Sequence, residues 1–149
     1  QTLDNARTIK ANIDALCGLQ VTLEDAIRQR ILFTAPELLT HENFATAEGL
    51  FREEYRCFKR RDMFGDAFLS RNLAQKMMKP YAKLAIAQSK SGRSRDARST
   101  CSSYLKRYGF APIPFVILLA SYAPPRFLDL ILAAYEKRQL QQAKTNAKP

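Results

Sequence analysis

The chain has no tryptophan, one histidine, five glycines and three cysteines in 149 residues, and each scarcity excludes something. Cys17, Cys57 and Cys101 are an odd number at wide spacing. No Cys-x-x-Cys pair or Cys/His cluster exists, and His41 stands alone, so the ligand set of a structural zinc site is missing. Each cysteine falls on the apolar side of a predicted helix, where a thiol acts as a small hydrophobe. That pattern points to a reducing compartment, with one disulfide plus a spare thiol as the alternative. Few glycines, and few Val, Ile and Thr outside helical patterns, speak against a β-sandwich or barrel. No glycine-rich phosphate loop of the Walker or Rossmann type appears. The longest apolar run, Ile113 to Ala120, is interrupted by Pro114 and falls far short of the roughly 20 residues that span a bilayer. The chain opens on Gln1, without the charged and apolar regions of a signal peptide. The expectation is a piece of a longer, cytoplasmic protein.

What is present is helical chemistry. Hydrophobic residues make up 46% and charged residues 26%, as in an ordinary globular chain. Ala, Leu, Lys, Arg and Gln are abundant, as helices prefer. The expectation is an all-α, irregular helical bundle of about six or seven helices. It should form a single domain over residues 1–140, with a disordered polar tail at 141–149.

The helices can be placed by periodicity. A first one runs from about Leu3 to Cys17, with Ala6, Ile9 and Ile13 on one face and Gly18 closing it. Thr22 opens a second, with Asp25 three residues on in a capping-box-like arrangement and Ile27, Ile31 and Leu32 as its buried stripe. Pro36 ends it or begins a short new turn. The third spans roughly Glu42 to Arg60. Its aromatic row of Phe44, Phe51, Tyr55 and Phe58, with Ala47, reads as core, and Glu48, Arg52, Glu53 and Arg56 point elsewhere. After Asp62 a further helix turns Phe64, Phe68, Leu73 and Met77 inward, and Pro80 kinks or splits it. A helix carrying Leu84 and Ala85 ends near Ser91-Gly92, and another follows with Ala97, Cys101, Tyr104 and Leu105 inward, closing at Gly109. An apolar segment over 112–121 comes next, whose Phe115, Val116, Leu118 and Leu119 are expected in the core. Pro124-Pro125 opens a last helix with Phe127, Leu128, Ile131, Leu132 and Tyr135.

Leu84, Ala85, Gly92 and Ala97 together resemble one tetratricopeptide-type helical hairpin. Small residues at 85 and 97 allow close approach, and Gly92 allows the turn. Gln88 stands where that repeat carries a large aromatic, and the pattern occurs once, so this is no repeat array. The wider cadence is Tyr81, Leu84, Ala85, then Gly92-Arg93, Asp96-Ala97-Arg98, Tyr104-Leu105 and Pro112, continued by Pro124-Pro125 and Lys137-Arg138. It resembles the helical C-terminal region that follows the sugar-nucleotide-binding domain in bacterial family 2 glycosyltransferases. The likeness covers the last half of the chain, and the first half only in architecture. That family holds its metal and nucleotide diphosphate with an Asp-x-Asp motif in an α/β domain, and this sequence has no Asp-x-Asp. The resemblance therefore implies catalysis in an upstream domain of the same chain. Here it implies a packing and acceptor-side role in making surface polysaccharide.

The charge of +10 is uneven. Residues 1–62 carry nine Lys/Arg against ten Asp/Glu, whereas residues 76–107 carry nine Lys/Arg against Asp96 alone. Such a field attracts phosphates. Its sharpest concentration is the candidate anion-binding turn of Lys90, Ser91, Gly92, Arg93, Ser94, Arg95 and Arg98, at a helix N-terminus. A solvated polar turn is the competing reading. Candidate catalytic groups reduce to ordinary roles. Glu53 and Glu54 are adjacent on a helix and point about 100° apart, Glu24 and Asp25 suit a helix's first turn, and His41 has no evident nucleophile partner. No catalytic residue, metal site or cofactor is expected. The partners expected are the upstream domain and an anionic membrane surface or lipid-linked acceptor, which would make the protein peripheral to the inner face of the membrane. A helical protein-interaction module is the second reading. Nucleic-acid binding ranks third, because no helix-turn-helix spacing or aromatic–basic interleaving stands out.

Overall fold

The computed structural model of the chain describes residues 2–61, 64–122 and 133. Those residues are all-α: six helices and one short 3₁₀ turn, with no strand among them. The last predicted helix and the polar tail lie outside the described residues. The chain divides into two compact units, Gln1–Lys83 and Leu84–Pro149.

In the first unit α1 (Thr2–Cys17) ends as the sequence implies. Gly18 adopts φ +64° and its N–H donates to the Asp14 carbonyl at 3.0 Å. The Asp14 carboxylate then accepts from the Val21 N–H at 3.2 Å and pairs with Lys10, tying the loop down. Both contacts hold its carboxyl below the usual range. Helix α2 (Leu23–Thr34) is capped by Thr22, whose hydroxyl accepts from the Asp25 N–H at 3.1 Å and donates to the Asp25 carboxylate at 2.6 Å. Glu24 and Asp25 also pair with Arg28 one turn on, as surface acids in a first turn should. The buried stripe of α2 is Ala26, Gln29 and Leu32. Ile27 and Ile31, expected there, are only half-buried.

The 3₁₀ turn Pro36–Leu38 leads into α3 (His41–Arg60), capped by Thr40. Rings follow one another along this helix: Phe33 on Phe51 at 4.7 Å, Phe51 on Tyr55 at 5.0 Å and Tyr55 on Phe58 at 6.3 Å, all edge to face. Glu48, read from the sequence as pointing away, is instead buried, at 2% exposed. It stands four residues after Phe44, on the same stripe, and the Tyr81 hydroxyl donates to its carboxylate at 2.9 Å. A buried carboxylate is tolerable because it is hydrogen-bonded.

Helix α4 (Asp66–Lys90) is continuous through Pro80 rather than split. Pro80 has no N–H to donate to the carbonyl of residue 76. The buried residues of this helix in the first unit are Leu69, Met77, Pro80, Tyr81 and Ala82, and Leu73, expected among them, is half-buried. Phe64 and Phe68, expected inward, are exposed and tilt against each other at 5.6 Å. Phe64 precedes the helix, so the periodicity that assigned it to a buried face does not apply. Tyr81 also packs edge to face on Phe44 at 5.0 Å.

The second unit begins in the last turns of α4. Gly92 has φ +75° and its N–H donates to the Ser89 carbonyl at 3.0 Å, while the Arg93 N–H reaches the Gln88 carbonyl at 2.8 Å. This closes the helix and turns the chain into α5 (Ser94–Tyr108). Ala85 and Ala97 are fully buried. Thr100 donates to the Gln88 side chain at 2.8 Å, so the position that departs from the tetratricopeptide pattern ties the two helices by a hydrogen bond. Ala97, Cys101 and Tyr104 form the inner face of α5, and Gly109, at φ +87°, ends it. The apolar segment is a helix, α6 (Pro112–Ala120), packed on α5. It buries Pro114, Ile117 and Ala120.

Candidate functional site

The anion-binding candidates sit at the turn between α4 and α5. Lys90, Ser91, Gly92, Arg93 and Arg95 are exposed, and Ser94 and Arg98 are half-buried. The cap position of α5 is Arg93, and no side chain caps the helix there, so its first-turn N–H groups lack a side-chain partner, and the exposed Arg93 and Arg95 stand in the same stretch of chain. Arg93 and Arg95 form no ion pair among the described residues. Asp96, in the first turn, is the one acid in the cluster. Ser91 and Arg98 have local duties. The Ser91 hydroxyl donates to the Ala87 carbonyl at 2.9 Å, and Arg98 lies over the Tyr122 ring, 4.6 Å from its centroid. The turn thus presents exposed cations.

Beside it lies a feature that sequence reasoning placed in the core. Phe115, Val116 and Leu119 are exposed, as are Phe110 at 75% and Tyr122 at 69%. Helix α6 is apolar on every face. Once Pro114, Ile117 and Ala120 turn toward the unit's interior, the remaining apolar residues must point outward. Phe110 and Phe115 pack together at 5.3 Å, so two of these exposed rings form one apolar patch. Tyr122 meets the cations of α5 through Arg98.

No family model, curated protein or solved structure matches the chain.

The first unit holds a second candidate, which the sequence reading missed. A cavity of about 330 Å³ lies among α1, α2 and α3, lined mainly by Ile9, Ile13, Phe33, Phe51 and Phe58. Gln29 and Glu54 also line it, and the Gln29 amide N–H donates to the Glu54 carboxylate at 2.5 Å. Burial pushes the Glu54 carboxyl above its usual range, against the opposing effect of Gln29. Cys17 lines the same cavity. Burial, with a hydrogen bond to Cys57, pushes its thiol up to about 12, and burial alone does the same for Cys101. These are inert, protonated thiols rather than nucleophiles. The signal available in sequence was Gln29 itself, a polar residue at the centre of an Ala26–Leu32 stripe.

Glu54 makes stability depend on pH with a definite sign. A carboxyl whose folded value is raised binds its proton more tightly in the folded state, so it favours folding below its ordinary value of about 4.3. That contribution is lost as pH rises through the folded value. Glu54→Gln keeps an acceptor for Gln29 and removes the charge. Its urea midpoint should exceed the parent's at pH 7 and match it near pH 4. An equal difference at both pH values would show that desolvated charge is not the cause.

The other acids have ordinary partners. Glu53 pairs with Arg56 and lies 3.9 Å from Arg60. His41 is an exposed first residue of α3. Among the described residues no group of His, Cys, Asp and Glu could hold a metal ion, and no helix is long and apolar enough to cross a membrane.

Proposed function

We propose that the chain is a non-catalytic helical region that lays a basic, partly apolar face against an anionic membrane surface or lipid-linked acceptor. In this reading it serves as the C-terminal region of a bacterial glycosyltransferase that builds surface polysaccharide. The observation that carries it is the exposure of Phe110, Phe115, Val116, Leu119 and Tyr122 in the unit that holds the cations of α5, which they meet where Arg98 lies over Tyr122. A solvated basic face alone would need no apolar neighbour. Interfacial surfaces combine the two, apolar groups entering the headgroup boundary while Lys and Arg meet anionic lipid. The glycosyltransferase assignment rests on the cadence from Tyr81 to Pro112; this sequence has no Asp-x-Asp, and on this reading another domain would carry the chemistry.

A protein-interaction module is the second reading, favoured by the buried Ala85 and Ala97 of the single hairpin. Co-sedimentation with vesicles separates the two. Binding to vesicles containing acidic lipid, weakening as salt rises and reduced by Phe115→Ser with Leu119→Ser, is the expected outcome. Equal sedimentation with neutral and acidic vesicles, or none with either, overturns the membrane reading.

A further inference from the structure

We propose that Cys17 and Cys57 form a disulfide that locks the end of α1 to α3 when the protein meets an oxidising small-molecule disulfide, with Cys101 left as the spare thiol. Three cysteines allow one pair and one remainder, and the structure selects which. None of the residues of the proposed membrane face takes part.

Proximity comes first. All three cysteines are free, and the Cys17 and Cys57 thiols share a hydrogen bond. Their sulfurs are therefore already near contact, and a bond of about 2 Å replaces that hydrogen bond. Cys17 is the last residue of α1, and Cys57 lies in the last turn of α3. Helix ends yield more readily than helix middles, which lets the two backbones settle into disulfide geometry. Access comes next. Cys17 is half-buried and lines the cleft among α1, α2 and α3, whereas Cys57 is 8% exposed and Cys101 1%. A small reagent meets Cys17 first, and a second protein molecule is kept from Cys57. Cys101 belongs to the second unit, on the inner face of α5.

The exchange runs in two steps. The Cys17 thiolate attacks one sulfur of the reagent and breaks its S–S bond, and the departing thiolate takes up the proton that Cys17 gave away. The Cys57 sulfur then attacks the Cys17 sulfur of this mixed disulfide. It expels the second half of the reagent, which leaves as a thiol with the Cys57 proton. Two protein thiols lose two electrons in all, and one small disulfide is reduced to two thiols. Burial and the hydrogen bond to Cys57 push the Cys17 thiol up to about 12, so little thiolate exists at neutral pH and exchange is slow. The pair is thus a lock closed by sustained oxidising conditions rather than a fast sensor. Once closed, it ties residue 17 to residue 57 in the unfolded chain as well, and that constraint stabilises the first unit.

The test incubates the whole reduced chain with bis(2-hydroxyethyl) disulfide, blocks remaining thiols with a maleimide in denaturant, and reads intact mass and peptide maps. One linked pair, Cys17 with Cys57, and one maleimide, on Cys101, are expected. The rate should rise about tenfold per pH unit and keep rising above about pH 9, where a thiol with the ordinary value of about 8.5 levels off. Cys57→Ala should stop at the mixed disulfide on Cys17, and Cys17→Ala should leave Cys57 unmodified over the same time. The oxidised chain should unfold at a urea concentration higher by about 1 M or more. Far-UV circular dichroism reports folding of each variant, and if Cys57→Ala fails to fold, the peptide map of the parent decides. A disulfide that includes Cys101, cross-linked dimers as the main product, three maleimides after prolonged oxidation, or an unchanged urea midpoint overturns the proposal.

Discussion

Tyr104→Ala should lower the unfolding free energy by about 3–5 kcal/mol, the range for removing a buried aromatic side chain. Tyr104 is 2% exposed and among the largest fully buried side chains of the described residues. It lies on the inner face of α5 with Ala97 and Cys101, and its ring packs on Tyr108 at 5.2 Å. Ala97 and Cys101 beside it are small and cannot fill the space, which leaves the Tyr108 ring as the large neighbour able to move. Collapse of the site, which would soften the loss, is therefore limited. Burial also raises the Tyr104 phenol above its ordinary value. The group is neutral at pH 7 in either state, so no electrostatic contribution complicates the comparison. Urea unfolding followed by far-UV circular dichroism measures the change, with Tyr104→Phe as the volume-keeping control. A loss below about 1 kcal/mol for Tyr104→Ala would mean that α5 does not pack as described.

The second large effect is on binding. Replacing Arg93, Arg95 and Arg98 together by Ser should reduce affinity for acidic vesicles by roughly 100-fold at low salt. Each Lys or Arg near anionic lipid contributes about 1 kcal/mol, and about 1.4 kcal/mol is tenfold. Arg93 and Arg95 are exposed and should carry most of the loss. Arg98 is half-buried over Tyr122, so its removal also frees that ring. The difference between parent and variant should shrink above about 0.1 M salt, where the screening length falls to roughly 10 Å. An unchanged affinity at low salt would assign any vesicle binding to the exposed apolar residues alone.

How far these features could be read in the sequence depended on how local their causes are. Thr22 with Asp25, Gly18 after Cys17, Gly92 and Gly109 all act within a few residues, and the helix ends fell where those residues predict. The inner face of α5 followed from spacing as well. What failed needed tertiary information. Glu48 lies on a buried stripe, and nothing near it in sequence announces that Tyr81, 33 residues on, supplies its hydrogen bond. Phe115, Val116 and Leu119 belong to a helix apolar all round, so periodicity could not say which side faces inward. Phe64 and Phe68 were placed inward by helical spacing and are exposed. Lys90 to Arg95 share one turn because they are consecutive in the chain, whereas Arg98 lies further along α5, over Tyr122. The cavity, built from three helices, left only Gln29 as a trace.

The exposed apolar residues of the second unit also govern how copies of the protein behave toward one another. A charge of +10 keeps molecules apart in dilute buffer, and colloidal stability then depends on that repulsion. At about 1 M salt the screening length shrinks to roughly 3 Å, and sulfate or phosphate further strengthens the burial of apolar surface. Phe110, Phe115, Val116, Leu119 and Tyr122 then become adhesive. Salt should therefore act in two directions on one molecule, releasing it from acidic lipid while driving it to self-associate and precipitate. Purification and crystallisation would meet the second effect first, as solubility that falls with ionic strength and recovers when Leu119 is made polar.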